Sequence, residues 1–231
     1  MRHTIKVIIP AYNEQNSIGK VIEDIPASWV QEVVVVNNNS SDHTVQRAKA
    51  AGATVLEEPR QGYGYACLRG MAYLSQGSEP PDIVVFMDAD YSDHGEELPQ
   101  VVAPILEGRA DLVIGSRALG ERERGSMTIP QVFGNWLATR LLRWMYGAHF
   151  TDLGPFRAIR YASLMQLKMK DQTYGWTVEM QLKAAKLGLR CTEVPVRYRQ
   201  RIGVSKVSGT VKGTVMAGYK IIGTIIKYWW R

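Results

Sequence analysis

Apolar positions in the first half of the chain alternate between two periods. Residues 5–9, 33–36, 53–57, 83–88 and 111–115 are short apolar or β-branched runs, the pattern of strands buried on both faces of a parallel sheet. Between them the spacing becomes helical. Ile18, Val21, Ile22 and Ile25 recur at i, i+3, i+4 and i+7, and Pro26 ends the run. Asp42 is placed to cap a helix that runs through Ala51 and stops at Gly52. A third helix is expected from Gly64 to Gln76. Strands alternating with helices predict an open α/β sheet, wound by right-handed crossovers, with helices on both faces. Such sheets bind ligands beyond the carboxyl ends of their strands.

The segments expected at those ends are polar. "PAYNEQNS" follows the first strand, "NNNSSDHT" the second and "DADYSDH" the fourth. None carries the glycine fingerprint of a dinucleotide fold or a P-loop, so a phosphate bound there needs positive charge from elsewhere. Asp88 and Asp90 stand two apart, and in extended chain such residues point to the same side. Neighbouring carboxylates repel unless a cation lies between them. Mg²⁺ or Mn²⁺ takes carboxylate oxygens together with substrate phosphates, so the pair is a candidate metal site facing a nucleoside diphosphate. The plain alternative is a solvated acidic turn that caps the next helix.

Composition narrows the setting. The 231 residues, 45% of them hydrophobic, suffice for one large or two small domains with a real core. Cys67 and Cys191 lack metal-site spacing and fit a reducing compartment. A net charge of +6 suits anionic partners such as nucleotides, phosphates or a membrane face. "MRHTIKVII" reads as a strand rather than a signal peptide. No run approaches the ~20 apolar residues of a membrane span. The expected location is the cytoplasm, with peripheral attachment at the inner face of the cell membrane.

Taken in order, "VIIPAYNE", "VVNNNSSDHT", "GYGYA" and "VVFMDAD" resemble family-2 glycosyltransferases of the GT-A fold, and more closely the dolichyl-phosphate mannosyl- and glucosyltransferase group. "TDLGPFRAI", "YGWTVEMQLKA" and "RIGVSK" carry the likeness to about residue 206. The resemblance implies a GT-A domain over residues 1–200, followed over 201–231 by a phosphate-contacting loop and an amphipathic helix. It implies inverting, metal-dependent transfer of a hexose from a nucleotide sugar, UDP-glucose or similar, to a lipid-linked phosphate or a hydroxyl. Pro10, Ala11, Tyr12 and Glu14 would line the base and ribose pocket. Gly64 and Ala89 would lie beside the nucleotide sugar. Asp88 and Asp90 would bind the metal and diphosphate, and Arg201, Ser205 and Lys206 would close on the diphosphate. Asn38 stands where the family commonly has an aspartate; its amide offers a donor and an acceptor to a base edge. Asn37 and Asn39 are alternatively residues that tolerate left-handed backbone.

The second half brings the acceptor into question. Residues 117–127, "RALGERERGSM", form a charged loop. Either it is merely solvated, or Arg117, Arg122 or Arg124 recruits an anionic acceptor through the guanidinium fork. Residues 131–146 predict an amphipathic helix with Leu137, Leu141 and Trp144 on one face and Arg140 and Arg143 off it, suited to core packing or to an interface. "SMTIPQVFGN" stands where the resembling group has an arginine and a serine for the acceptor phosphate. The acceptor therefore stays open between a lipid phosphate held by other arginines and a hydroxyl. Asp152 falls beside the donor sugar by the same resemblance, and Glu179 lies on a helix from Thr177 to Leu187. Both are candidate bases for a hydroxyl acceptor; their ordinary roles would be a turn cap and a surface charge. The chain ends in "SGTVKGTVMAGYKIIGTIIKYWWR". Val215, Tyr219, Ile222 and Ile226 share one helical face there, with Lys212, Lys220 and Lys227 on another. That pattern fits a membrane surface, or a neighbouring subunit in a homo-oligomer. Two other functions compete. A sugar nucleotidyltransferase would show a glycine- and arginine-rich loop in place of "PAYNEQNS". A basic membrane- or nucleic-acid-binding module would show basic residues interleaved with aromatics; with no such motif, nucleic acid is not an expected partner.

Overall fold

A computed structural model of the chain describes residues 3–77, 79–203 and 211–229, apart from the side chains of 211–215 and 217. In chain order the elements are β1 (Ile5–Ala11), α1 (Ile18–Asp24), β2 (Glu32–Asn37), α2 (Thr44–Ala50), β3 (Thr54–Glu57), α3 (Tyr63–Gln76), β4 (Ile83–Phe86), α4 (Leu98–Leu106), β5 (Leu112–Ser116), α5 (Ile129–Tyr146), β6 (Arg157–Arg160), α6 (Tyr161–Leu167), α7 (Trp176–Lys186), β7 (Cys191–Pro195) and α8 (Val211–Trp229). The strands form one seven-stranded sheet in the order β3-β2-β1-β4-β6-β5-β7.

Each of the five apolar runs is a strand, and β1 to β4 are parallel as expected. The sheet is nevertheless mixed. β6 runs antiparallel between β4 and β5, and β7 pairs in parallel with β5. Neither reads as a strand in the sequence: β6 is "RAIR", with Arg157 fully buried, and β7 is "CTEVP", only half-buried.

The period-two alternation of the strands divides the core. Ile8, Val34, Val84 and Phe86 face α3, α5, α7 and α8. Val7, Ile9, Val35 and Val85 face α1, α2 and α4. Both faces are apolar because both are covered. Gly70 sets the closest helix-to-sheet approach: a Cβ there would lie 2.7 Å from Ile8 Cγ2.

Several helix details differ from expectation. α2 starts at Thr44 with His43 as its N-cap. Asp42 instead accepts the Thr44 N–H at 3.0 Å and the Gln15 N–H at 3.2 Å, tying the tips of β1 and β2 together. α5 starts at Ile129, two residues early, because Thr128 and Gln131 form a capping box. Its buried residues are Ala138, Thr139 and Leu142. Leu137 and Leu141 are half-buried, and Trp144 is 82% exposed. The small Ala138 and Thr139 let neighbouring helices come close, and α7 and α8 pack against α5. On α8 the buried positions are Thr224 and Ile225, whereas Tyr219 and Ile226 are exposed; the side chains of Lys212 and Val215 lie outside the described residues. Among the described residues no helix is long and apolar enough to cross a membrane.

Candidate active site

The tips of β1, β2, β4 and β5 open onto one cleft of 550 Å³. Pro10, Ala11, Tyr12 and Glu14 line it after β1, Asn38 after β2, Asp88, Ala89 and Asp90 after β4, and Arg117 after β5, with Arg201 reaching in from the C-terminal segment. Three polar loops widely separated in sequence therefore share a rim because parallel strands end at the same edge. Gly64 is not in this lining. A Cβ there would lie 2.1 Å from the Asp171 carbonyl oxygen, so the glycine serves close packing of α3 on the 171–172 backbone. Ser205 and Lys206 lie outside the described residues. The cleft also takes residues that were not singled out in the sequence, including Tyr63, Gln131, Tyr174 and Tyr198. Tyr63 belongs to "GYGYA", at the start of α3.

The asparagines hold the rim together. Asn37 donates to Glu57 Oε2 at 2.6 Å and accepts the Ser40 N–H at 3.1 Å. Asn38 donates to the carbonyls of Glu58 (3.1 Å) and Arg60 (2.7 Å) and accepts the Gly62 N–H at 2.8 Å. Both its amide protons are engaged, so its part in the cleft is to position residues 58–62 rather than to donate to a base. An aspartate could not make the two donated bonds, since an ionised carboxylate only accepts. Asn39 takes the left-handed conformation, with φ of 65°, while Asn37 belongs to β2.

Asp88 and Asp90 do face the same space. Asp90 accepts the Ser92 N–H at 2.9 Å and meets Arg201 Nη2 at 2.6 Å. Arg201 also lies 3.7 Å from Glu14. Asp88 Oδ1 is buried without a hydrogen-bond partner among the described residues. Behind it, Asp93 accepts the Asp88 N–H at 3.4 Å and leaves its own Oδ1 unmatched. Burial and then the Asp90 charge push the Asp88 carboxyl up to about 7. Burial and then the charges of Asp88 and Asp90 raise Asp93 well above the usual range. Such crowding of acids is relieved by a divalent cation, so the residues present fit one. Asp88 and Asp90 would hold it; among the described residues no group of three acidic, His or Cys side chains is arranged to do so. A sparse ligand set leaves coordination positions for substrate phosphates.

Arg117 is the best-braced side chain of the cleft. Its Nε and Nη2 donate to the two oxygens of Asp152 at 2.8 and 2.7 Å, and its backbone N–H adds a third bond at 2.8 Å. Burial pulls its pKa down, but the Asp152 carboxylate more than offsets this and holds the guanidinium well above its ordinary value. Tyr198 covers the other side, 5.0 Å from the guanidinium. The Asp152 carboxylate, a candidate base in the sequence, is held by Arg117. Glu179, the other candidate base, is engaged as well. It is buried on α7, accepts the N–H groups of Lys170 and Asp171, and binds Lys183 and the Tyr228 hydroxyl. Its role is to join α7, α8 and the 170–171 loop.

Known proteins resemble the chain over nearly its full length. An uncharacterized glycosyltransferase of Mycobacterium bovis is 35% identical over 216 residues, 92% of this chain and 94% of that protein. The undecaprenyl-phosphate mannosyltransferase of Micrococcus luteus is 32% identical, over 90% of this chain and 89% of its own. The crystal structure of glucosyl-3-phosphoglycerate synthase from Mycobacterium tuberculosis, in complex with Mn²⁺, UDP-glucose and phosphoglyceric acid, matches with a TM-score of 0.75 and 26% identity. The match covers 99% of this chain and 80% of that one. The model of glycosyl transferase family 2 matches residues 6–168, and with the acid pair and the strand tips that open onto the cleft inside that span, the chain belongs to this family.

Proposed function

We propose that the chain transfers a hexose from UDP-glucose, or a closely related nucleotide sugar, to a lipid-linked phosphate at a membrane surface, with inversion at the anomeric carbon. The observation that carries the acceptor is a second cavity, of 280 Å³. It shares Tyr63, Asp88 and Arg117 with the donor cleft and continues between Pro130 and Gly134 of α5 and Gly218 and Ile221 of α8. A charged head group at Arg117 and a hydrocarbon tail between the helices suit its two ends. The name of the Micrococcus luteus relative identifies an acceptor of this class.

The chemistry follows from what the side chains have free. A phosphate acceptor brings its own anionic oxygen and needs no base, and the two carboxylates considered as bases, Asp152 and Glu179, are both engaged. Arg117, fixed by Asp152, orients the acceptor oxygen for attack on the face opposite the diphosphate. Mg²⁺ or Mn²⁺, when held by Asp88 and Asp90, supplies charge that offsets the departing diphosphate. Arg201, 2.6 Å from Asp90, would reach the donor's phosphates beside a cation held by Asp88 and Asp90.

The test is product analysis with UDP-glucose and Mn²⁺ in three arms: undecaprenyl phosphate in detergent, 3-phosphoglycerate, and a sugar phosphate with nucleoside triphosphate. The expected product is a glycosyl lipid phosphate with release of UDP. Transfer to 3-phosphoglycerate alone would remove the lipid acceptor, and synthesis of a nucleotide sugar would make the chain a nucleotidyltransferase. A Cβ at Gly134 or Gly218 meets nothing within 4 Å. Gly134→Phe and Gly218→Phe should therefore fold, fill the second cavity and block the long acceptor while leaving UDP-glucose binding intact.

A further inference from the structure

α5 presents two unlike faces. Opposite the buried Ala138, Thr139 and Leu142, the residues Ile129, Phe133, Trp136, Arg140, Arg143 and Trp144 fall within about 100° of arc at the α-helical 100° per residue. Ile129 is 86% exposed and Trp144 82%. A contiguous apolar and aromatic stripe of this kind marks an interaction surface rather than ordinary solvent exposure.

The charge on that face narrows the partner. Arg60, Arg109, Arg117, Arg160, Arg190, Arg197, Arg199 and Arg201 each meet a carboxylate. Among the arginines without a carboxylate partner in the described residues are Arg122, Arg140 and Arg143, and α5 contains no Asp or Glu. These three arginines line one cleft of 390 Å³ with Trp136, Asn135 and Thr151. Asp152, the acid in its wall, is already bound to Arg117. Arg140 lies over the Trp136 ring at 5.7 Å. A symmetric contact between two copies would set these uncompensated cations against each other, whereas an anionic surface would pair them.

We propose that this face of α5 docks on an anionic phospholipid bilayer, with the aromatic side chains entering the head-group layer and the arginine cleft taking a lipid phosphate. Tryptophan beside arginine on an amphipathic helix suits that layer, where an apolar body and a polar edge are both satisfied. Pro130, Gln131 and Gly134 of the same helix wall the second cavity from its other side. The purpose of docking rests on the lipid-acceptor reading; the docking itself is measured without it.

The full chain, without nucleotide sugar, is sedimented with vesicles of phosphatidylcholine alone or mixed with phosphatidylglycerol. Binding is expected to the anionic vesicles and to weaken with salt. Arg140→Gln with Arg143→Gln should reduce it about thirtyfold with no change in thermal unfolding. Trp136→Ser with Trp144→Ser should remove quenching of tryptophan emission by brominated lipid. Equal binding by the arginine variant and the parent overturns the proposal. So does failure of the parent to bind anionic vesicles, or a concentration-dependent dimer that Phe133→Ser dissociates. UDP-glucose binding, followed by thermal shift in the same samples, reports separately on the glycosyltransferase reading: its loss with vesicle binding retained would fault that reading alone.

Discussion

The donor rim and the helical side of the molecule meet at Arg117 and are built by opposite rules. On the rim, most polar groups hold one another, and the unmatched Asp88 Oδ1 and Asp93 Oδ1 mark where a cation fits. Asn38 binds three backbone groups, Asp90 holds Ser92 and Arg201, and Arg117 holds Asp152. On the outer face of α5, Arg140 and Arg143 meet no carboxylate among the described residues, and Ile129 and Trp144 stand in solvent. Engaged groups define a geometry, as a site that positions a reacting centre requires. Unengaged ones mark where a partner must come from outside.

That contrast can be broken from either end. The largest effect is expected on the rim: Asp90→Ala should lower transfer about a thousandfold and abolish Mn²⁺-dependent UDP binding by calorimetry, while vesicle binding persists. Asp152→Asn keeps the shape but withdraws the charge that braces Arg117. It should cost about a hundredfold in kcat with KM for UDP-glucose nearly unchanged, as measured by steady-state kinetics. Arg201→Ala should cost about tenfold in kcat/KM, on the order of one charge-assisted contact. It should also tighten Mn²⁺ binding in the absence of nucleotide, read by electron paramagnetic resonance, because Asp90 then has no competing cation.

A pH dependence gives a smaller and graded effect. Asp88 protonates near 3.8 when unfolded and near about 7 in the folded, metal-free protein. Between those values the folded state holds the extra proton, so raising the pH removes it and lowers stability. Thermal unfolding in chelator should therefore fall across that window. Asp90→Asn should flatten the slope by removing the neighbouring charge, and saturating Mn²⁺ should raise stability most at its upper end. The smallest effect is expected on the helical face, where Trp144→Ser should change stability by less than about 0.5 kcal/mol in denaturant unfolding while weakening vesicle binding.

Much of the fold was legible because its signals are local. The five apolar runs are strands, the Ile18 to Ile25 periodicity is a helix, and the i, i+2 spacing does bring Asp88 and Asp90 to one cleft. β6 was hidden because a buried arginine looks like a surface residue. Arg157 is satisfied by the carbonyls of Leu153, Gly154 and Thr177, which the sequence does not reveal. The partners of Asp152 and Glu179 were hidden for the same reason. A carboxylate in a motif resembles a free base until its partner is seen. The outward face of α5 stayed open between core and interface because leucines and a tryptophan at helical spacing suit either, whereas small residues one position away allowed the neighbours to approach.

By itself, the sequence determined the strand and helix periods, the polar loops that end the strands, and the acid pair, since each depends on residues within a few positions of one another. Tertiary structure alone decided which polar groups are already engaged. Arg117 finds Asp152 across 35 positions and Tyr228 finds Glu179 across 49. Hydrogen bonds and ion pairs act over a few ångströms, and only the folded chain brings partners so distant in sequence that close.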